Sequence, residues 1–399
     1  ERNKLIIENV PTARPEVSAV METVKAPEGA EKITLLLKEV RLEGVTAFNA
    51  TEMQSFYKES LGKTVTLDKV WQIAAAITAH YRKEQFFLSR AYLPAQEIEN
   101  GVVTIKVVEG YIAHVTISDE LQKLRNVSQL IEKITASRPI TAHQLEAFTL
   151  RLNDLPDARF FSVLRPLPDN HDGGVELVLK DEKKLFGGSV NFDNSGSRFL
   201  GPYQTSATLR ANLLAQQETT LSVLNSIPTR ELRYVALSHD VQLIPGWALE
   251  LSGNVVEANP GSSLEENDIN SESVGLGAGI TYQPVRQYLE NLRLGAYVDA
   301  RNTNTDILGD IPLVRDRVRA LRLGADYDLV DRWNGFNKIN ILFSQGIGVL
   351  GANDRGDDNL SRTEATPVFT TFQTDYTRHQ ALPYSLALVG QFSKSGDCR

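Results

Sequence analysis

The chain has 399 residues, 42% hydrophobic and 23% charged, too long for one ordinary domain and too apolar for disorder. Its 42 basic against 50 acidic side chains leave a net charge of −8, which removes any general electrostatic reason to bind a polyanion and argues against a nucleic-acid partner. The lone cysteine, Cys398, can form no internal disulfide, and no run approaches the roughly 18 apolar residues of a spanning helix, so membrane insertion would have to use a β-barrel.

The first residue is Glu1, with neither an initiator Met nor an apolar leader, which reads as a processed or truncated chain. Residues 1–29 carry Pro11, Pro15 and Pro27 without a sustained period and are expected to be a linker. From Glu31 the pattern predicts a strand over Ile33 to Leu42, a helix over Glu52 to Ser60 and a second helix over Leu67 to Gln85. Val70, Ile73, Ala74, Ile77 and Tyr81 form one apolar face of that second helix behind a Thr66 cap.

Ser89 to Gly110 then reads as a hairpin, with a Glu99-Asn100-Gly101 turn before the β-branched run Val102 to Val108. The same β-α-α-β-β order recurs about 80 residues later. Its predicted elements are Tyr111 to Ser118, Val127 to Ala136, Thr141 to Asn153, Phe160 to Leu167 and Gly174 to Lys180. The domains are therefore a first module over 30–110, a second over 111–183 and a third region over 184–399.

After Leu185 the chain turns to period-2 segments. Leu292, Leu294, Ala296, Val298 and Ala300 alternate with Arg293, Gly295, Tyr297, Asp299 and Arg301, while Leu321, Leu323, Ala325 and Tyr327 alternate with Arg322, Gly324, Asp326 and Asp328. An apolar face opposed to an Arg/Asp face fits a barrel with lipid outside and water inside, and a soluble sandwich would show the same alternation with the faces reversed. About eleven such segments are predicted. Their connections alternate between short turns and the polar stretches Val256 to Ser271, Asn302 to Asp316 and Gly351 to Thr366, the asymmetry of outer-membrane barrels.

Two modules feeding a barrel make the hairpin legible. Arg90-Ala91-Tyr92-Leu93-Pro94-Ala95-Gln96, with Gly101-Val102-Val103 and Val107-Val108-Glu109-Gly110, resembles the first POTRA module of the outer-membrane transporters of two-partner secretion, the haemolysin and filamentous-haemagglutinin secretion proteins of the Omp85 superfamily. The resemblance implies α+β POTRA modules in the periplasm, followed by an antiparallel transmembrane β-barrel that exports one large secreted partner exoprotein. It also implies a sixteen-stranded barrel, a plug helix and a barrel-entering loop with a Val/Ile-Arg-Gly-Tyr/Phe motif, neither of the last two visible in the chain. With about eleven strands against that number, residues 1–399 are expected neither to close a stable barrel nor to conduct.

No catalytic elbow or phosphate loop is present, so the chain is not expected to be an enzyme or to carry a cofactor. His80, His114, His143, His171, His239 and His379 lack metal-ligand spacing, and Asn353 to Asn359, interrupted by Arg355, reads as an exposed polar loop rather than a calcium site. Two candidate sites remain. Ser89, Arg90, Ala91, Tyr92 and Leu93 form an edge strand for an extended client. Arg293, Tyr297, Asp299, Arg301, Arg322, Asp326 and Asp328 would line a pore surrounded by outer-membrane lipid. The competing functions are an outer-membrane assembly insertase of the same superfamily and a soluble β-sandwich adhesin or binding protein.

Overall fold

The computed structural model describes residues 26–397 apart from 157, 168–171, 228–230, 363–365 and 384–385. Most of the expected linker, His171 and Cys398 therefore lie outside the described residues. The described residues form two compact units: one holds 26–152 with Phe160–Asp181, and the other holds Asn153–Arg159 with 182–397.

In the first unit, the first module contains β1 (Thr34–Leu37), β2 (Glu39–Glu43), α1 (Ala50–Gln54), β3 (Lys63–Thr66), α2 (Leu67–Lys83), β4 (Arg90–Tyr92) and β5 (Val102–Val108). Helix α2 starts where the Thr66 hydroxyl accepts the Lys69 N–H at 3.3 Å, and its expected apolar face is buried, Val70, Ile77 and Tyr81 completely. That face packs on a three-stranded sheet of order β2-β5-β4, with β2 parallel and β4 antiparallel to β5.

Two expectations need correction. The strand predicted over Ile33 to Leu42 breaks at Lys38, whose N–H turns to the Gly101 carbonyl at 2.8 Å; β1 pairs instead with β3, a strand the sequence pattern did not suggest. The helix predicted over Glu52 to Ser60 is only α1, capped by Asn49, with a separate 3-10 turn at Lys58–Ser60.

The second module repeats the plan with β6 (Tyr111–Thr116), α3 (Asp119–Gln122), α4 (Arg125–Ala136), α5 (Ala142–Asn153), β7 (Ala158–Pro166) and β8 (Gly174–Lys183), the sheet running β6-β8-β7. Thr141 and Gln144 form a reciprocal capping box that starts α5. Gly110 joins the modules. Its N–H donates to the Ser89 hydroxyl at 3.1 Å, its carbonyl accepts from the Ile140 N–H at 2.9 Å, and a Cβ there would lie 2.7 Å from the Leu88 carbonyl oxygen. No larger residue fits that crossing.

The second unit is one antiparallel meander of eleven strands. In order they are β9 (Phe186–Asp193), β10 (Tyr203–Ala211), β11 (Gln217–Ile227), β12 (Leu232–Ile244), β13 (Trp247–Ala258), β14 (Asn270–Arg286), β15 (Glu290–Ile307), β16 (Ile311–Val330), β17 (Gly335–Gly346), β18 (Thr370–Leu382) and β19 (Leu386–Asp397). β9 and β19 are the two ends of the sheet. The long loops expected after the fifth and ninth strands are present at 259–269 and, among the described residues between β17 and β18, at 347–362 and 366–369. The one expected over Asn302 to Asp316 is not a loop: β15 and β16 continue as paired strands to a turn at 308–310.

This sheet has almost no core of its own. Among its described apolar side chains only Ala320 is buried, whereas Leu276, Leu323 and Phe392 are 63%, 59% and 57% exposed. The register puts these on one face: Leu237, Leu251, Leu276, Val298 and Leu321 are all outward, and each strand's intervening residues face the other way. An apolar face this extensive is not stable in water. The outward run is about nine residues on β13, β14, β15 and β16, the length a tilted strand needs to cross hydrocarbon. It drifts by two residues per strand, from Val274 on β14 to Ala300 on β15 and Leu321 on β16, as strand tilt in a barrel requires. Trp247 and Tyr282, stacked at 4.5 Å, sit with Tyr327 and Tyr376 at the short-turn end of that face, the place of an aromatic girdle. No helix among the described residues is long and apolar enough to cross a membrane.

Candidate functional site

The first candidate site is the sheet of the first module. β4 is an edge strand, as expected, but its backbone is not open. Thr78 on α2 reaches across: its hydroxyl accepts the Ala91 N–H at 2.9 Å and shares its own proton between the carbonyls of Ala74 at 3.0 Å and Ala91 at 3.3 Å. Ser89 is buried, with its N–H on the Phe86 carbonyl. Because Ala91 turns both groups away from β5, strand alternation sends Arg90 and Tyr92 toward Val108 and Lys106. The expectation that Ser89, Arg90, Ala91, Tyr92 and Leu93 offer free edge groups is corrected at its centre: α2 already takes the outward groups of Ala91.

The Tyr-Leu-Pro-x-Gln motif closes the rest of that side. β4 stops after three residues. Further along β5, the Gln96 amide donates to the Thr104 carbonyl at 2.7 Å and accepts its N–H at 2.8 Å, a side chain completing the ladder past Pro94, which has no N–H to give. Thr78→Val keeps the shape but strands the buried Ala91 N–H; it is expected to lower the module's stability by about 2 kcal/mol, read as a shifted urea midpoint.

β2, the opposite edge, has no such cover. Thr104 faces β4, so Val103, Ile105 and Val107 face β2, and in the parallel register Glu39, Arg41 and Glu43 satisfy them. Val40 and Leu42 then point N–H and C=O away from the sheet, with no partner among the described residues.

Behind both edges sits Glu109, from the Val-Val-Glu-Gly run. Its Oε1 accepts the N–H groups of Thr46 at 2.8 Å and Ala47 at 2.9 Å and the Tyr81 hydroxyl at 2.6 Å, while Oε2 accepts the Thr46 hydroxyl. Burial pushes this carboxyl up, but the bonds from Thr46, Tyr81 and Ala47 outweigh it and hold it below the usual carboxylate range. Burial and then Glu109 raise the Tyr81 phenol.

The second candidate site is the polar face of the sheet. The register places Arg293, Tyr297, Asp299, Arg301, Arg322, Asp326 and Asp328 together on the side opposite the apolar one. Arg322 donates to Asp299 at 2.6 Å and to the Ser344 hydroxyl at 3.2 Å, Arg293 pairs with Glu250, and Asn340 donates to Asp326 at 2.6 Å. Tyr297 lies over Gly279 and Gly295, where a Cβ would collide with its ring. Glu250, Asn340 and Ser344 escaped the sequence reading because only the cross-strand register shows that they belong to this row. No group of three or more His, Cys, Asp or Glu among the described residues is placed to hold a metal.

Comparison with known proteins agrees with this architecture. The profile of the POTRA domain, ShlB-type, matches residues 35–110, and that of the haemolysin secretion/activation protein ShlB/FhaC/HecB matches residues 173–396. The heme/hemopexin transporter protein HuxB of Haemophilus influenzae strain 86-028NP is 24% identical over 96% of this chain and 70% of its own length. HuxB of the Rd KW20 strain is 26% identical, with 86% of this chain spanning 62% of that protein. The outer membrane transporter CdiB of Dickeya dadantii is 20% identical over 98% of this chain and 72% of its own. Among solved structures, CdiB from Escherichia coli superposes with a TM-score of 0.67 at 17% identity, over 97% of this chain and 71% of that one, which shows a shared fold. With a POTRA-type module at one end and a profile match over more than half of its length, the chain belongs to the haemolysin secretion/activation protein family.

Proposed function

We propose that this chain is an outer-membrane transporter that takes up an unfolded partner exoprotein in the periplasm through its POTRA modules and passes it outward along the polar face of its barrel. The observation that carries the proposal is the two-faced eleven-stranded sheet, apolar and exposed on one side and carrying the Arg322–Asp299 and Arg293–Glu250 pairs on the other, directly preceded in the chain by modules with an open strand edge. An extended client suits that edge, since main-chain pairing needs no folded partner surface. No catalytic step is required, because folding outside makes export one-way. Outer-membrane lipid surrounds the apolar face, and nucleic acid has no part.

The test is export of the exoprotein encoded beside the full-length gene. Its appearance in the medium should depend on this protein while the general complement of outer-membrane proteins stays unchanged. A loss of unrelated barrels on deletion would instead make it an assembly insertase. Topology gives a second check. Strand alternation puts the loop 259–269, which holds the turn Ser262–Asn267, at the end of the sheet opposite the one where β9 begins. An epitope inserted at Ser262 is expected to be labelled on intact cells, and labelling only after the outer membrane is broken would reverse the assignment.

A further inference from the structure

The outward face of β16 changes character along its length. From the short-turn end it presents Tyr327, Ala325, Leu323 and Leu321, and then Arg319, Arg317 and Arg315. The pairings Val298 with Leu321, Ala300 with Arg319, Asn302 with Arg317 and Asn304 with Arg315 leave no doubt that the three arginines continue the apolar side. Alternate residues of a strand are about 7 Å apart, so the row covers roughly 14 Å above the first outward position beyond Leu321. A guanidinium costs little only near the interface, which places the row at the headgroups of the leaflet facing the long loops.

The row is held rigidly. β17 parts from β16 after the Gly346–Ala320 pair, and residues 347–359 take over its edge: Ile347 N–H bonds the Arg319 carbonyl at 2.9 Å, Asn353 N–H the Arg317 carbonyl at 3.0 Å, and Arg315 N–H the Asn359 carbonyl at 2.8 Å. Arg315 is committed to Asp306. Arg319 instead donates to neutral acceptors, the Leu350 carbonyl at 3.0 Å, the Arg301 carbonyl at 3.2 Å and the Asn302 side chain at 2.9 Å, which aim the group without cancelling its charge. Arg317 is exposed, and Asp357, already engaged by Asn353 and the Asp354 N–H, is an acid within its electrostatic reach. Asp316 faces the other side and accepts the Ser361 N–H at 3.1 Å.

We propose that Arg317 and Arg319, with Arg315 behind them, seat the phosphate groups of a phosphorylated glycolipid in the outer leaflet. Arginine's planar fork matches a phosphate oxygen pair, and the headgroup plane supplies such groups at the height of the row. The inference rests on the outer-membrane reading above.

The test uses the full-length protein, inserted in bilayer discs and checked for heat-modifiable migration. Retained lipid is counted by native mass spectrometry with three probes: a bisphosphorylated glycolipid of lipid A type, its dephosphorylated form and inorganic phosphate. The wild type should retain the phosphorylated form roughly tenfold or more over the dephosphorylated one. That preference should fall to near unity in Arg317→Gln/Arg319→Gln and return in the paired lysine variant. Equal retention of the two glycolipids by the wild type overturns the row whether or not the variants fold, and competition by inorganic phosphate at matching concentration shows an anion site rather than a lipid seat. Failure to enter the bilayer at all would overturn the outer-membrane reading itself.

Discussion

Replacing Glu109 with alanine is expected to lower the stability of the first module by about 3 kcal/mol, a large share of what a domain this size possesses. The carboxylate receives four bonds from Thr46, Ala47 and Tyr81, joining the loop after β2 to α2 and to the end of β5. Removing it leaves the Ala47 N–H and the Tyr81 hydroxyl without partners in partly buried positions. Glu109→Gln should cost only about 1 kcal/mol, because an amide oxygen in the Oε1 position still accepts three of those bonds and the amide nitrogen can donate to the Thr46 hydroxyl. Tyr81→Phe, losing one bond, should fall between them.

The acid dependence separates the charge from the shape. The folded Glu109 carboxyl lies below its ordinary value of 4.5, so its contribution is complete above that value and disappears as pH falls through the folded one. Urea unfolding of a soluble piece holding both modules should show wild type and Glu109→Gln separated at pH 7 and converging in acid. Parallel curves at every pH, or an alanine variant within 0.5 kcal/mol of wild type by the convention for neutral surface changes, would mean that Glu109 ties nothing together.

Much of this architecture is legible in the sequence because it is periodic. Val70 to Tyr81 repeats with the helical period, and Leu292 to Ala300 and Leu321 to Tyr327 with the strand period, so helix, strands and the grouping of Arg293, Asp299, Arg322 and Asp326 on one face follow directly. The failures occur where period carries no signal. Asn302-Thr303-Asn304-Thr305 looks like a loop because this part of β15 lies above the apolar band, where one face meets headgroups and the other water, and neither selects apolar residues. β3 is four residues long and runs straight into the cap of α2, too short for an alternation. The closure of β4 depends on Thr78, thirteen residues from Ala91 and on a helix, and a side chain bonded to a strand backbone leaves no trace in either period. The same holds for Gln96, a visible part of the motif whose partner Thr104 is fixed only by the fold.

Under the proposed function, that closure also decides where an extended client would pair. Leu42→Pro is expected to weaken binding of the exoprotein's unfolded secretion domain roughly tenfold, with a matching fall in export, because it removes one outward donor from β2 and sets a ring against the incoming strand. The module should survive it. The Leu42 N–H points away from β5, and proline is tolerated on an edge strand in that orientation. Leu42→Ala shares the loss of packing and keeps the donor, so it isolates the backbone effect. Arg41→Pro breaks a ladder bond to β5 and is expected to unfold the sheet, which confirms the alternation independently. If Leu42→Pro binds client as tightly as Leu42→Ala while Thr78→Val binds it more tightly, capture belongs to β4 after release by α2. The opposite pattern, loss with Leu42→Pro and no gain with Thr78→Val, places it on β2, the edge that neither Thr78 nor Gln96 covers.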